Sequence, residues 1–223
     1  SVLPPPVKWL DALVAGFNPC AEQCLEDHEL CCLGELNPNR HATLEDFLVT
    51  IKYAYMYCKA VTLIPTSRPK TNRVMTKNRR IGLSMMGVFK MYERLGLNEC
   101  IRWWNAGYEE VRYWDRVYSG WLGCNPSIKV TSVKPGGTIP LLVGEEGGMK
   151  VPTASYYFRT IRVEHNSPLV KACEEAGHRV ETDRASPRTK VVYFPVHDPT
   201  PMRTAEQVPL WEQMELLAAL QAY

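Results

Sequence analysis

Helix-like and strand-like segments alternate along this chain, each closed by a proline, a glycine or a capping side chain, and that alternation places it in the α/β class. Thr43-Leu44-Glu45-Asp46 has the form of a helix start. Leu44, Phe47, Leu48, Ile51, Tyr55 and Cys58 follow at helical spacing, which predicts a helix over residues 44–62. The aromatic-rich stretch 98–121 predicts another. Ser167-Pro168 and Pro209 mark two further helix starts, the first helix ending at Gly177 and the second running to Tyr223. Residues 128–133, 156–163 and 190–196 read as strands. Residues 67–80 read as a basic, polar link, and 82–96 as a helix whose small residues suit close packing and whose end is set by Gly96. Upstream, Leu3-Pro4-Pro5-Pro6 is a stiff, extended lead-in, residues 7–16 form a short helix or turn, and 17–20 approach as a strand.

The 223 residues, 45% of them hydrophobic, suffice for one large or two small domains with a buried core. A net charge of +2 from 26 basic and 24 acidic residues gives long nucleic acid and membrane surfaces no electrostatic hold, so any phosphate recognition must be local. No apolar run approaches the ~18 residues that cross a bilayer, and the N-terminus lacks a signal peptide's pattern; the cytoplasm is the expected compartment. In that setting the eight cysteines read as thiols rather than as a disulfide framework.

Asn18-Pro19-Cys20-Ala21-Glu22-Gln23 sets an amide, a thiol and a carboxylate two residues apart behind a rigid proline. In an extended segment all three would share one face. There the carboxylate could take a hydroxyl proton and the amide could orient that hydroxyl, with the sulfur beside the same carbon. Taken alone, Cys20 also reads as a small buried hydrophobe, but Asn18 and Glu22 would be costly to bury on its face without a polar ligand. Eleven residues on comes Cys31, followed by Cys32-Leu33-Gly34-Glu35. Cys24 and Cys32 read as packing. Zinc is a competing reading for Cys20, Cys24, Cys31 and Cys32 with His28 and His41, but the spacing lacks the paired knuckles of structural zinc sites, and no metal is assigned.

A second candidate site is Ser132-Val133-Lys134-Pro135-Gly136-Gly137-Thr138, a strand running into a glycine turn. Pro135, Gly136, Gly137 and Thr138 permit close backbone approach, and amide hydrogens with the Thr138 hydroxyl can hold phosphate oxygens. The plain alternative is an ordinary tight turn. Arg79-Arg80 and Arg159 with Arg162 could be phosphate ligands but read rather as solvated charge, and Trp103, Trp104, Tyr108, Tyr113, Trp114 and Trp121 read as core or interdomain packing, with nucleobase stacking the lesser alternative.

The Asn-Pro-Cys-x-Glu-Gln loop with Cys31 beyond it resembles the active-site finger loop of adenosylcobalamin-dependent (class II) ribonucleotide reductases, most like the monomeric triphosphate-reducing type. The glycine turn, with Asn125 to Lys129 before it and Leu141 to Gly144 after it, resembles that family's substrate-phosphate loop, and the resemblance runs over nearly the whole chain. It implies that Cys20 is the thiyl-radical cysteine, Glu22 the base for the ribose 3′-hydroxyl, Asn18 a ligand of the ribose hydroxyls and Cys31 one of the reducing thiol pair. The fold implied is the later portion of a ten-stranded α/β barrel carrying the finger loop, with residues 1–223 a fragment of a single catalytic barrel domain. Adenosylcobalamin would be bound mostly by parts outside this chain. The implied partners are a ribonucleoside triphosphate or diphosphate, a thioredoxin-type reductant and the remainder of the reductase polypeptide, without which turnover is not expected. Ala21 stands where the family usually has glycine, Gly136 where it has serine and Lys150 where it has histidine. A start at Ser1 without methionine suggests a split, truncated or intein-interrupted product. A non-catalytic remnant that binds nucleotide or a complete reductase, and a zinc-stabilised interaction module, are the rival functions.

Overall fold

A computed structural model describes residues 11–197 and 202–222. The lead-in at Leu3 to Pro6, residues 7–10 and the terminal Tyr223 lie outside them. Two compact units emerge, one holding residues up to Val151 together with those from Val208 onward, the other Pro152–Gln207.

The first unit is organised around two long helices, α1 (Leu44–Val61) and α4 (Leu97–Trp121). Helix α1 starts where its sequence says: the Thr43 hydroxyl accepts from the Asp46 amide, and Glu45 and Asp46 sit in the first turn, where the helix dipole favours acids. The stripe Leu44, Phe47, Ile51, Tyr55 and Cys58 is buried against α4, where Phe47 stacks on Trp103 at 5.4 Å and Gly107 leaves room for Ile51. Lys59, wholly buried, is held by Asp115 at 2.8 Å, the Asn125 carbonyl and the Ser127 hydroxyl. Tyr55 donates to the same Asp115 oxygen, so a polar knot fixes the segment that leads to the glycine turn.

Strands β1 (Val14–Phe17) and β2 (Cys24–Glu26) form an antiparallel hairpin, and β3 (Leu33–Leu36) and β4 (Gly82–Met85) a parallel pair. Leu33 lies opposite Gly82 and Glu35 opposite Ser84. Residues 67–80 are not a link: helix α2 (Pro69–Asn78) occupies them, starting at a proline and ending at Arg79 with φ 45°. Few of its residues are buried, which is why no apolar stripe announced it. The expected helix over 82–96 begins only at α3 (Val88–Leu95), because 82–85 is strand. Three of its four residues are buried, and a strand covered on both faces loses the polar alternation that would mark it. Residues 129–132 run parallel to β4 through Ile81 N to Lys129 O, Leu83 N to Val130 O and Ser132 N to Leu83 O, continuing the β3-β4 ladder by one bridge at Thr131. Helix α5 (Ile139–Leu142) follows the glycine turn, and α7 (Leu210–Ala222) returns to this unit through Tyr92 bonding Glu212.

The second unit is a three-stranded antiparallel sheet in the order β5 (Tyr156–Glu164), β7 (Thr189–His197), β6 (Arg179–Thr182), with helix α6 (Pro168–Glu175) between β5 and β6 in sequence. Ser167 caps α6 by accepting from Leu169 N. Its Val170 and the sheet's Val192 are both buried.

Candidate active site

The hairpin loop 18–23 is a turn rather than an extended segment. Phe17 pairs with Cys24, and the next pair closes the loop: Asn18 N donates to Gln23 O, while Gln23 N donates to the Asn18 side-chain oxygen, both at 3.0 Å. Pro19 takes the second position of a tight turn closed by Ala21 N to Asn18 O at 2.9 Å. Ala21 leaves it at φ 61°, a left-handed conformation that costs an alanine about 1–2 kcal/mol and a glycine almost nothing. Simple alternation therefore does not place Asn18, Cys20 and Glu22 on one face. Asn18 is buried at the base, Cys20 is exposed at the tip and Glu22 is half-buried beside it.

Cys31 is what gathers them. Its sulfur lies in the field of Glu22, Cys20 and Cys32 and close enough to the Asn18 amide to feel its pull. Burial first, and the Glu22 carboxylate after it, push this thiol from the ordinary 9.0 up to about 11, against the pull of Asn18. The sulfur is thus held as a protonated thiol, and the Asn18 side-chain oxygen is fixed by accepting from Gln23 N. Glu22 Oε2 is buried and accepts no hydrogen bond within the described residues. The Glu22 backbone carbonyl is pinned by the Ser132 hydroxyl at 2.8 Å. Gln23 is wholly buried, with neither side-chain polar atom bonded among the described residues. It reaches the gap above Gly82, where an added Cβ would stand 2.5 Å from a Leu33 methyl and 2.9 Å from Ser132 Cβ.

From the base of the hairpin the support is ionic. Arg80, fully buried, bonds Glu29 at 3.0 Å and Asp11 through two nitrogens, and Asn78 reaches Glu29 and Glu26. The strand β4 start is thereby fastened to both ends of the finger hairpin.

Along β3 the side chains divide by alternation. Cys32 and Gly34 turn toward α1, where a Cβ on Gly34 would meet the Cys58 sulfur at 2.6 Å. Cys31, Leu33 and Glu35 turn toward the finger loop and the glycine turn. Cys32 therefore lies on the opposite side of the strand from Cys31, and its thiol is raised by burial and by Glu29. Among the described residues, no three His, Cys, Asp or Glu side chains gather into a metal-binding group.

The glycine turn lies at the far end of that face. Lys134 N donates to the Ser84 hydroxyl at 2.8 Å, and Lys134 Nζ binds Glu35 at 2.7 Å. Gly136 faces the Glu35 carboxylate so closely that an added Cβ would overlap Oε1 and stand 2.8 Å from Cδ. A serine at this position would require the Glu35 carboxylate to shift. A second glycine run packs on the turn from behind: a Cβ at Gly147 would overlap the Gly136 carbonyl, and one at Gly148 would lie 2.5 Å from the Lys134 carbonyl oxygen. Gly137 and Thr138 remain exposed, with open space where a Gly137 side chain would be.

No family model matches the chain. Curated proteins do. It is 42% identical over 222 residues to a probable adenosylcobalamin-dependent ribonucleoside-triphosphate reductase of Dictyostelium discoideum, covering 100% of this chain and 29% of that protein. It is 42% identical over 216 residues to the adenosylcobalamin-dependent ribonucleoside-triphosphate reductase of Euglena gracilis, covering 96% and 30%. A crystal structure of B12-dependent (class II) ribonucleotide reductase superposes with a TM-score of 0.84 at 32% identity, over 96% of this chain and 34% of that one. The chain matches a segment of the class II ribonucleotide reductases. It spans about a third of the length of the reductases it matches. The mixed helix and strand architecture is that of the class II reductase structure, and the described strands do not close a barrel. No helix among the described residues is long and apolar enough to cross a membrane.

Within this reductase-like segment, the hairpin brings Asn18, Cys20 and Glu22 to Cys31, while Pro135, Gly136, Gly137 and Thr138 stand apart at the other end of the same strand face. Sequence reasoning placed Ser132, Lys134 and Gln23 within the two motifs but gave none of them, nor Glu35, a role of its own. A signal for Glu35 was present, since it repeats the Cys31 face at i+4 along a strand. For Ser132 none was, because its partner lies 110 residues away.

Proposed function

We propose that this chain is the later part of the ten-stranded catalytic barrel of an adenosylcobalamin-dependent ribonucleoside-triphosphate reductase, with residues 1–223 belonging to that single domain. The observation that carries the reading is the convergence of Asn18, Cys20 and Glu22 on Cys31, with one Glu22 oxygen left free to accept from a ligand. In that role Cys20, exposed at the tip, carries the radical and removes the ribose 3′ hydrogen. Glu22 accepts the 3′-hydroxyl proton, and Asn18 orients the ribose hydroxyls. Cys31, kept protonated, supplies one of the two thiol hydrogens needed as the 2′-hydroxyl leaves as water. The second thiol is not among the residues that gather here, and oxidation of the pair leaves a disulfide that a thioredoxin-type dithiol would reduce. Adenosylcobalamin, when bound, supplies the hydrogen-abstracting radical that acid-base chemistry cannot provide. Of this chain's eight cysteines, Cys20 is the exposed one and so the one placed to receive that radical. The turn at Pro135, Gly136, Gly137 and Thr138 holds the phosphates of a ribonucleoside triphosphate by backbone amides and the Thr138 hydroxyl. A cycle that depends on free thiols suits a reducing compartment such as the cytoplasm.

Replacing Cys20 by serine in the whole polypeptide should abolish deoxynucleotide formation while leaving nucleotide binding intact. Retained turnover would refute the assignment.

A further inference from the structure

The phosphate turn carries a cation that the proposed function does not use. Lys134 opens the turn, its side chain a quarter exposed, yet its ammonium is directed back onto Glu35 at 2.7 Å. Glu35 is the less mobile partner: its side chain is only 1% exposed, on a strand paired to β4. Its second oxygen, Oε1, is buried, bonds nothing among the described residues and is aimed at the turn beside Gly136. The turn cannot move away, because Gly147 and Gly148 pack directly on the carbonyls of Gly136 and Lys134. A polyphosphate seated on the exposed Gly137 and Thr138 would therefore meet a lysine within reach of it and a buried carboxylate behind that lysine.

We infer that Lys134 is a phosphate ligand held back by Glu35, so that this ion pair sets how tightly the turn grips a polyphosphate. To reach the ligand, the ammonium must leave Glu35, and a carboxylate stripped of its partner at 1% exposure is strongly disfavoured. The carboxylate also repels the incoming anion directly. Both effects oppose binding, so Glu35 acts as a brake and Lys134 as the grip. The inference rests on the reading of residues 135–138 as a phosphate site and adds to it the residues that tune affinity.

The test measures binding of inorganic tripolyphosphate and of a ribonucleoside triphosphate to the whole polypeptide by titration calorimetry, for the wild type, Glu35→Gln and Lys134→Met. Thermal unfolding of each variant checks folding. Glu35→Gln keeps the shape of the side chain and removes the charge, so both ligands should bind about tenfold more tightly, equivalent to about 1.4 kcal/mol. Lys134→Met should weaken both by a similar factor. A structural role for the pair predicts the opposite sign for Glu35→Gln, since losing a packing ion pair loosens the turn. Weaker binding in folded Glu35→Gln, or unchanged binding in folded Lys134→Met, overturns the inference and leaves the phosphate site standing. Wild-type protein that binds neither ligand overturns both.

Discussion

Gly147→Ala and Gly137→Ala are the same chemical change on two sides of one turn, and the structure assigns them opposite signs. At Gly137 an added Cβ meets nothing within 4 Å. The backbone there needs no left-handed conformation, so alanine mainly removes freedom from the unfolded chain and should stabilise by about 0.4–1 kcal/mol. At Gly147 the new Cβ would overlap the Gly136 carbonyl oxygen and stand 2.8 Å from its carbon and 3.1 Å from its nitrogen. The obstacle is backbone, so no rotamer change relieves it and the two loops must part. Overpacking of this kind costs about 1–3 kcal/mol, and the same unfolded-state gain offsets only part of that. The unfolded-state gain is common to both, so the variants should differ by the overpacking cost, about 1–3 kcal/mol, read as separated urea midpoints at equal slope. Because Gly136 shifts with the clash, Gly147→Ala should also weaken tripolyphosphate binding, whereas Gly137→Ala leaves the turn's geometry in place. Two variants within about 0.5 kcal/mol of each other would refute the packing of one glycine loop on the other.

The Cys31 thiol, raised to about 11, carries roughly a hundredfold less thiolate near pH 8 than a thiol at the ordinary 9.0, since each unit is tenfold. Its alkylation by iodoacetamide, followed by mass spectrometry, should still be climbing with pH at pH 10, and Glu22→Gln should move the midpoint down only in part because burial is the larger cause; a wild-type midpoint at 9 would refute this. Lys59→Met strips the buried Asp115 of its ammonium partner and should cost about 3–5 kcal/mol in denaturant unfolding, with a loss under about 1 kcal/mol counting against the polar knot.

The elements that the sequence exposes are those with local causes. Thr43 as cap and the Leu44 to Cys58 stripe specify α1 before any tertiary contact, and Ser167-Pro168 does the same for α6. What stayed hidden depends on neighbours. Strand β4 carries Gly82 because Leu33 and Ser132 leave no room for a side chain, and that small residue reads as helix packing when the neighbours are unseen. Helix α2 presents mostly polar residues to solvent and has no capping side chain. At the site, the residue types were legible but the shape was not. Ala21, at φ 61° where glycine would have signalled a turn, disguises the bend that makes the loop 18–23 a hairpin tip. The Glu35 and Lys134 pair joins residues 99 apart, and no local pattern encodes it.

One strand face shows how the proposed chemistry and the proposed phosphate binding would serve the same ligand. Strand β3 with the residues just before it contributes Cys31, Leu33 and Glu35, β4 contributes Gly82 and Ser84 opposite the last two, and the parallel segment beyond β4 contributes Ser132 and Lys134. The strands run the same way, so their carboxyl ends share one edge, the edge at which ligands bind in α/β sheets. The glycine turn leaves from that edge, while Cys31 and the finger hairpin stand at the amino end. Four residues separate Cys31 from Glu35, about 13 Å if the approach to β3 is as extended as the strand, at ~3.3 Å per residue. A nucleotide laid along β3 with its phosphates on the turn therefore presents its ribose toward the hairpin. Ser132 spans the two ends: it precedes the turn by three residues and holds the carbonyl of Glu22, the residue assigned to the ribose proton. A displacement of the turn by a misplaced phosphate would thus be carried to Glu22, so that, on the proposed roles, correct seating of the phosphates becomes a condition for correct placement of the base.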